Sequence, residues 1–364
     1  MKKILICVGT RPNFIKITKL EDELQKLGDY EIKLLHTGQH FDQNMSEVFF
    51  QQLKLRSPDF FLGINSSSHS EVVGKIIIEA EKVMLDYKPD AVIVPGDVNS
   101  TFACAFAASS LRIPVAHIES GLRSYDMDMP EERNRVLTDS LSDLLFVTEA
   151  IGLENLKKEG YLDSKVYLVG NTMIDSVKSF EGVIDQNQVV QQLRMEEKGY
   201  ILTSFHRPIN VDHPESLTEL LKTLKSISSI YPIVFPIHPR TSKNVSAFEL
   251  DYLLEEKNIH VIQPQGYLEF MKLLKNAKAV ISDSGGIQAE ASYFGTPCVT
   301  VRDTTELKVT LTHGTNNLSA LTEEAITKTL NNALVKKNQD IPYWDGKSSV
   351  RIAEVINRYL HDNG

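Results

Sequence analysis

Short runs of apolar residues alternate with longer amphipathic stretches along the chain. Several of the short runs are continuously apolar, which is typical of parallel strands covered on both faces. In the first half the predicted strands are Ile4–Val8, Ile32–His36, Ala91–Pro95, Pro114–Ile118, Leu144–Thr148 and Val166–Val169. In the second half they are Tyr200–Ser204, Ile233–Ile237, His260–Gln263, Ala279–Ser282, Cys298–Val301 and Asn317–Leu318.

Helices are predicted between these strands, where apolar residues recur at the spacing of one helical face. The clearest are Ile15–Leu27, Val72–Asp86, Pro130–Ser142, Pro214–Ser229 and Leu268–Ala277. Strand and helix in alternation, twice over, predict an α/β protein with two doubly wound parallel sheets. We place the change of domain after Asn171, which gives a first domain at 1–171 and a second at 172–345.

A last amphipathic helix follows the break at 342–346. Ser348 is its expected N-cap, and the helix runs for about 14 residues. One side of it carries Val350, Ile352, Ala353, Ile356 and Leu360. The periodicity alone leaves open which of the two domains this helix packs on.

Residues that carry chemistry should follow the strands directly, because ligands of open α/β sheets bind beyond the carboxyl ends of the strands. In the first half these residues are Arg11, Lys16, Asp97, Glu119, Glu131 and Arg135. Three of them are acids, and three acids at one site suit proton transfer. Asp97 fits a plain helix N-cap equally well. Glu119 at the tip of a buried strand needs a partner, and we expect Arg123 to supply it.

The second half offers cations and bare backbone N–H groups. Its candidates are His206, Arg207, His238, Ser284, Gly285, Gly286 and Glu290. The Ser-Gly-Gly turn follows a predicted strand and opens a helix, and the N terminus of a helix is a favourable anion site. Acids in the first half and cations with N–H donors in the second predict a phosphorylated ligand. Its diphosphate would be held by the second domain, and another part of it would be acted on by the acids of the first.

Composition narrows the class of partner. A net charge of −9 over 364 residues argues against nucleic acid or an anionic membrane as partner. The longest apolar stretches are far shorter than a membrane span. Cys7, Cys104 and Cys298 are odd in number and widely spaced, which fits buried free thiols in a reducing cytoplasm. No Cys/His spacing suggests a zinc site.

Short motifs occur in a fixed order from Gly9 to about Asn316. They read G-T-R-P with Lys16, T-G-Q-H, P-G-D, H-I-E-S-G-L-R, P-E-E-x-N-R, H-R, D-S-G-G-I-Q-x-E, R-D-T-T-E and G-T-N. In this order they resemble the non-hydrolysing UDP-N-acetylglucosamine 2-epimerases. The resemblance implies the glycosyltransferase-B architecture, in which two Rossmann-like domains face each other across a cleft. It also implies that the C-terminal helix, 346–364, crosses back to the first domain.

The resemblance implies an isomerase that interconverts UDP-GlcNAc and UDP-ManNAc without a nicotinamide cofactor or a metal. UDP is eliminated to give a 2-acetamidoglucal intermediate and then added back. The implied catalytic residues are Asp97, Glu119, Glu131 and His206. The implied ligand contacts are Arg11 and Lys16 near the nucleotide, Ser284, Gly285 and Gly286 on the diphosphate, Glu290 on the ribose and Phe270 on the uracil. Arg135, Arg207 and His238 complete the expected substrate-binding set.

Three stretches depart from the family pattern, and the first of them, Ser124–Met129, reads as shorter than in the best-known bacterial members. Thr305–Lys308 reads T-E-L-K in place of T-E-R-P, and Gln39–Asp42 has aspartate where many bacterial members have a second glutamine. A 2-epimerase of a modified UDP-sugar, such as a 2,3-diacetamido uronic acid, therefore stays open, as does a UDP-sugar glycosyltransferase of the same fold. A hydrolysing epimerase and a catalytically inactive sensor fit the acids and the first-strand motif less well. We expect a cytoplasmic homodimer that supplies surface polysaccharide precursors.

Overall fold

The computed structural model describes residues 1–28, 30–38, 55–64 and 68–362. It divides into two compact units, Met1–Ser179 with Pro342–Gly364, and Phe180–Ile341. Each unit contains its own parallel sheet, which confirms the predicted fold class. The division falls inside the helix Thr172–Gln186, whereas we placed the change of domain just before that helix.

The first unit is built on a parallel sheet in the order β3-β2-β1-β4-β5-β6-β7. Its strands are β1 (Lys2–Val8), β2 (Tyr30–His36), β3 (Phe60–Phe61), β4 (Ala91–Pro95), β5 (Val115–Ser120), β6 (Leu144–Val147) and β7 (Val166–Leu168). β1 and β4 are fully buried over Ile4–Val8 and Ala91–Pro95, as their continuous apolar sequences predict. The strand order reverses between β1 and β4, so their carboxyl ends form the crevice where such sheets bind ligands.

Helices cover this sheet and connect its strands. They are α1 (Arg11–Ile17), α2 (Leu20–Leu27), α3 (His69–Tyr87), α4 (Asn99–Ser110), α5 (Pro130–Leu141), α6 (Ala150–Lys158) and α7 (Thr172–Gln186), with a 3-10 turn at Asp163–Lys165. One continuous helix predicted over Ile15–Leu27 is wrong, because the chain breaks between α1 and α2. The Thr18 hydroxyl donates to the carbonyl of Phe14 at 2.9 Å, a local bond that competes with helix continuation.

The second unit repeats the plan with the sheet order β10-β9-β8-β11-β12-β13. Its strands are β8 (Ile201–Ser204), β9 (Ile233–Pro236), β10 (Ile259–Ile262), β11 (Ala279–Ser282), β12 (Cys298–Val301) and β13 (Asn316–Ser319). Its helices are α8 (Val189–Gln192), α9 (Pro208–Val211), α10 (Pro214–Ser228), α11 (Pro239–Ala247), α12 (Tyr267–Asn276), α13 (Gly285–Phe294), α14 (Val309–Thr312) and α15 (Glu323–Val335), with a 3-10 turn at Asp251–Leu253. The order reverses between β8 and β11, so α13 begins beside the crevice of this sheet.

The chain ends in α16 (Ser348–Asp362), which belongs to the first unit and packs against α2. Its buried side includes Ile352, Ala353, Ile356 and Leu360. Asp175 on α7 accepts the backbone N–H groups of Ser348 and Ser349 at 3.1 and 2.5 Å, which satisfies two free donors at the start of the helix. Burial raises the pKa of the Asp175 carboxyl, and these hydrogen bonds partly offset the increase.

Across the described ranges, none of the helices has the length and apolar content needed to cross a bilayer.

We predict that Asp175→Ala destabilises the first unit by about 1–3 kcal/mol, because two buried N–H groups lose their acceptor. The measurement is thermal unfolding followed by circular dichroism, in which the variant should unfold at a lower temperature. Glu354→Ala, an exposed change on α16, is the matched control and should unfold with the wild type. Equal midpoints for the wild type and Asp175→Ala would contradict this account of the helix start.

Candidate active site

Asp97 lies in the turn between β4 and α4, at the carboxyl end of a central strand. Its carboxylate accepts a hydrogen bond from Arg135 Nη1 at 2.5 Å, and its backbone carbonyl accepts one from Asn134 at 2.9 Å. Arg135 and Asn134 are neighbours on α5, so this one helix orients both the backbone and the side chain of Asp97. Arg135 is buried against Glu132, and its assignment to substrate binding stays a prediction.

Glu119 lies at the end of β5 and forms an ion pair with Lys16 on α1 at 2.5 Å. Both side chains are about nine-tenths buried. A Cβ atom on Gly96 would lie 2.8 Å from Lys16 Nζ and 3.7 Å from the Glu119 carboxylate. Gly96 has a φ of 74°, so a left-handed backbone and a close approach both favour glycine here. The turn that carries Asp97 is therefore packed directly against the Lys16–Glu119 pair.

The backbone of Glu119 is itself unusual, with a φ of 74°. The pairing of β5 with β6 shifts register between Ile118 and Ser120, so Glu119 occupies a β-bulge. Bulges of this kind redirect a side chain at the end of a strand, and a left-handed non-glycine residue costs roughly 1–3 kcal/mol. Such strained residues concentrate at functional sites, which supports the assignment of Glu119.

The expected pairing of Glu119 with Arg123 is wrong. Arg123 is buried and binds Glu159 with two hydrogen bonds of 2.8 and 2.7 Å, and it lies 2.7 Å from Asp139. The bulge separates the two side chains because it turns Glu119 toward α1. Sequence proximity alone could not distinguish these partners.

Two acids begin α5, and the structure gives them different surroundings. Glu132 is buried and accepts the backbone N–H groups of Ser124 and Tyr125 at 2.9 and 2.8 Å, so it holds the loop that precedes the helix. Glu131 is half-buried and has no hydrogen bond or ion pair within the described part of the chain. Of the pair, Glu131 is the carboxylate that remains available to a ligand.

The turn after β1 is held by Asn13 and begins α1 at Arg11. The Asn13 amide oxygen accepts the N–H groups of Gly9 and Thr10 at 3.1 and 3.0 Å, and its NH₂ group donates to Pro95 at the end of β4. This joins the first turn to the turn of Asp97. Arg11 stands at the N terminus of α1, so its cationic side chain starts from the end of the helix that attracts anions.

In the second unit, Asp283 organises the turn that carries His206 and Arg207. Asp283 follows β11 and is fully buried. Its carboxylate accepts the backbone N–H groups of both residues at 3.2 and 3.0 Å and the Asn210 side chain at 3.1 Å. Arg207 Nε also donates to the carbonyl of Asp283 at 2.9 Å. The sequence reasoning missed Asp283, although an aspartate directly after a buried strand was a usable signal.

His206 and His238 lie together, with ring centroids 5.4 Å apart. Burial lowers the pKa of His206 below its ordinary value, and Arg207 and Arg240 lower it further, while Asp283 acts in the opposite direction. The pKa of His238 is lowered by burial, by His206 and by Arg240. Both rings are therefore mainly neutral at pH 7, the state in which a histidine can accept a proton.

The N terminus of α13 has the features of an anion site. Ser284 is its N-cap residue, but the serine side chain makes no capping hydrogen bond. A Cβ atom on Gly285 would lie 2.8 Å from Glu306 Oε1 and 3.8 Å from Arg302 Nη1, so both side chains approach this turn. Arg302 is bonded to Glu306 through Nη2 at 3.0 Å, while its buried Nη1 has no hydrogen-bond partner in the described residues. An anion at this turn would satisfy that N–H group. Arg302 was a further residue that the sequence reasoning missed.

Glu290 lies one turn into α13 and is buried. Burial raises the pKa of its carboxyl to about 8, and Tyr267 partly offsets this increase. Glu290 is consequently protonated in most molecules at pH 7. Phe270 is half-buried in the first turn of α12.

The stretch Thr305–Lys308, whose sequence departs from the family pattern, is hydrogen-bonded to α13 through buried polar groups. The side-chain amide oxygen of Gln288 accepts hydrogen bonds from the Thr305 hydroxyl at 2.6 Å and from the Asn316 side-chain NH₂ group at 2.7 Å. The Thr305 hydroxyl oxygen in turn accepts the N–H of Leu307 at 3.1 Å. Leu307, which stands where the family has arginine, has a buried side chain. Gln39–Asp42, which also differs from the family pattern, lies outside the described residues.

The chain is similar to nucleotide-sugar epimerases over nearly its whole length. The family model described as UDP-N-acetylglucosamine 2-epimerase matches residues 22–357. UDP-N-acetylglucosamine 2-epimerase of Methanocaldococcus jannaschii is 42% identical over 361 residues, which cover 97% of this chain and 98% of that protein. UDP-2,3-diacetamido-2,3-dideoxy-D-glucuronate 2-epimerase of Pseudomonas aeruginosa is also 42% identical, over 97% of this chain and 99% of its own.

A solved structure of a related protein is similar as well. The crystal structure of M. jannaschii UDP-GlcNAc 2-epimerase in complex with UDP-GlcNAc and UDP superposes with a TM-score of 0.90 at 41% identity. The match covers 97% of this chain and 99% of that one.

We predict that Arg240→Gln raises the pKa values of both His206 and His238, because a nearby positive charge is removed and the protonated rings are less disfavoured. The measurement is a pH titration of the histidine ring signals by NMR at low ionic strength. Since Arg240 is exposed, the difference from wild type should shrink as salt is added. Lys243→Gln, an exposed lysine on the same helix, is the control. Equal shifts in the two variants would contradict a specific effect of Arg240.

Proposed function

This chain belongs to the UDP-N-acetylglucosamine 2-epimerase family, and we propose that it interconverts UDP-GlcNAc and UDP-ManNAc with the residues described above. The family and the close relatives make it an enzyme of the epimerase class. The reaction proceeds by elimination and re-addition of UDP, as the family resemblance implies. No hydrolysis of the nucleotide is involved.

Each step moves one proton and breaks or forms one C–O bond. A carboxylate accepts the C2 proton, the C1–O bond breaks with its electron pair leaving on UDP, and a C1–C2 double bond forms. UDP then attacks C1 again as a proton is delivered to the opposite face of C2. A C2–H bond next to no carbonyl is barely acidic, so the leaving diphosphate has to be stabilised strongly.

The observation that carries this proposal is the set of acids in the first unit. Asp97 and Glu119 follow neighbouring strands and are each ion-paired with a cation, whereas Glu131 is free to meet a ligand. One group removes a proton and another supplies one, so the chemistry needs more than one acid. A sugar-nucleotide sensor would need none of them, and an inverting glycosyltransferase would need fewer.

We assign the nucleotide to the second unit. The diphosphate is proposed to bind at the Ser284–Gly286 turn, with the N–H groups of Gly285 and Gly286 and Arg302 Nη1 as donors, since the N–H of Ser284 already donates to the Ser282 hydroxyl at 3.1 Å. His206 is proposed as the proton carrier at the sugar end, since its ring is mainly neutral at pH 7. Glu290 is proposed to accept the ribose hydroxyls, and Phe270 to pack on the uracil.

A modified UDP-sugar is the second candidate substrate. The relative named as a 2,3-diacetamido-2,3-dideoxy-D-glucuronate 2-epimerase is as similar to this chain as the UDP-GlcNAc enzyme is, at 42% identity. Leu307 replaces the family's arginine and is buried, so this position offers no cation to the sugar nucleotide. These two observations keep the uronate substrate in the proposal.

We further propose that the protein acts in the cytoplasm as a homodimer and supplies precursors for surface polysaccharides. Its three cysteines are free and buried, as befits a reducing compartment. Large apolar side chains are exposed on the adjacent helices α3, α4 and α5, and self-association would cover them. They are Ile78, Leu85, Phe106 and Leu137.

The test is incubation with UDP-GlcNAc in D₂O, followed by NMR. We expect deuterium at C2 together with UDP-ManNAc. Unchanged UDP-GlcNAc would overturn the first substrate, and epimerisation of UDP-2,3-diacetamido-2,3-dideoxyglucuronate in its place would establish the second. Asp97→Asn is the internal control, which should abolish exchange at C2 while the affinity for UDP, measured by calorimetry, stays within a few-fold of wild type.

We also predict that UDP binds more tightly as the pH rises toward about 8, because ribose hydroxyls donate to the ionised form of Glu290 and its pKa in the free protein is about 8. Below that pKa, the affinity should increase by up to about tenfold per pH unit, and binding should release a proton. Calorimetry in two buffers of different ionisation enthalpy measures the release. Glu290→Gln removes this titration, so an equal release by the variant would rule out Glu290 as its source.

A further inference from the structure

His117 on β5 is fully buried, and both of its ring nitrogens face oxygen atoms. Nδ1 is 2.7 Å from Asp139 Oδ1, and Nε2 is 2.8 Å from the backbone carbonyl of Gly96. The Gly96 carbonyl can only accept, so Nε2 carries a proton and donates a hydrogen bond to it, while Nδ1 forms the hydrogen bond with Asp139.

His117 and Asp139 belong to a hydrogen-bonded cluster that also contains Arg123 and Glu159. Asp139 is fully buried, and its second oxygen accepts from Arg123 at 2.7 Å and from the N–H of Gly121 at 3.1 Å. Arg123 also donates a hydrogen bond to Glu159 at 2.7 Å. Burial acts to raise the pKa of Asp139, but the hydrogen bonds and charges of His117 and Arg123 bring it below its ordinary value. Arg123 is thus paired with the carboxylates of both Asp139 and Glu159.

The His117–Asp139 pair contacts backbone groups close to both central acids, Asp97 and Glu119. Gly96, which accepts from His117, directly precedes Asp97, and its own N–H donates to Ile118 at 2.9 Å. Glu119 lies between His117 and Gly121, both of which are bonded to Asp139. The left-handed backbone of Glu119 is consequently fixed from both ends, as a strained residue requires.

We propose that His117 and Asp139 are positioning residues, which set the spacing of Asp97 and Glu119 for proton transfer at C2 of the sugar. This inference rests on the proposed epimerase function and adds two residues that touch no substrate. A displacement of either acid by a fraction of an ångström would misalign it with the C2 proton, so loss of the pair should slow chemistry while leaving nucleotide binding in the second unit intact.

The main test is Asp139→Asn, which keeps an acceptor for the ring but removes the charge. We expect kcat for C2 exchange to fall by about 10- to 100-fold, with KM and the affinity for UDP unchanged within a few-fold. Asp175→Asn is the matched control, because it changes another buried carboxylate of the same unit that accepts backbone N–H groups. The control should lose thermal stability and keep its kcat. A kcat that falls equally in both variants would overturn the proposal.

One further measurement tests the contact between the His117 ring and the backbone of Gly96 directly. In the wild type, the ring of ¹⁵N-labelled His117 should carry a proton on Nε2, which faces the Gly96 carbonyl, and a ring without that proton would overturn the proposal even if Asp139→Asn does not fold. A wild type without C2 exchange would instead overturn the proposed function, while the ring spectrum would still test the pair.

Discussion

Burial of the parallel strands on both faces is the constraint on which the placement of the polar residues depends. A strand such as β4 exposes no face to water, so polar side chains are excluded until the strand ends. The turns that follow then need partners for their free backbone groups. Asn13 and Asp283 meet that need in the two units by accepting pairs of N–H groups. The candidate functional side chains thus lie in turns whose backbone N–H groups are hydrogen-bonded within the protein.

Charge is distributed differently in the two units. In the first, carboxylates are held by cations, as in the pairs Lys16–Glu119 and Arg135–Asp97. In the second, Arg302 approaches Gly285, and its buried Nη1 has no hydrogen-bond partner in the described residues. Removing one member of a buried pair costs about 3–5 kcal/mol because the other charge is left unpaired. The paired acids are therefore fixed in place, whereas Arg302 Nη1 is left without an acceptor in the described residues.

Much of the fold could be predicted from the sequence. Continuous apolar runs located the strands within one or two residues, because a doubly buried strand leaves a strong signal. The two-residue edge strand β3 carries too few residues for a pattern, and the break at Thr18 depends on a single hydroxyl group.

The site could be predicted only in part. The strand-end rule selected Asp97 and Glu119, and the structure places both at the carboxyl ends of neighbouring strands, because the rule depends only on position along the chain. The partners of those acids depend on how helices lie across the sheet, so Lys16 in place of Arg123 could not be foreseen. The same holds for His117, which lies inside a strand and whose role depends on Gly96 and Asp139, residues distant in sequence.

The C-terminal helix has a consequence for how the protein is made. α16 packs on α2 and is fixed at its start by Asp175, yet its residues are translated after the whole of the second unit. On the ribosome, Phe180–Ile341 emerges in full while the first unit still lacks its last helix. The part of α2 that packs against α16 stays uncovered for that interval. The unit that is synthesised first is therefore the one that is completed last.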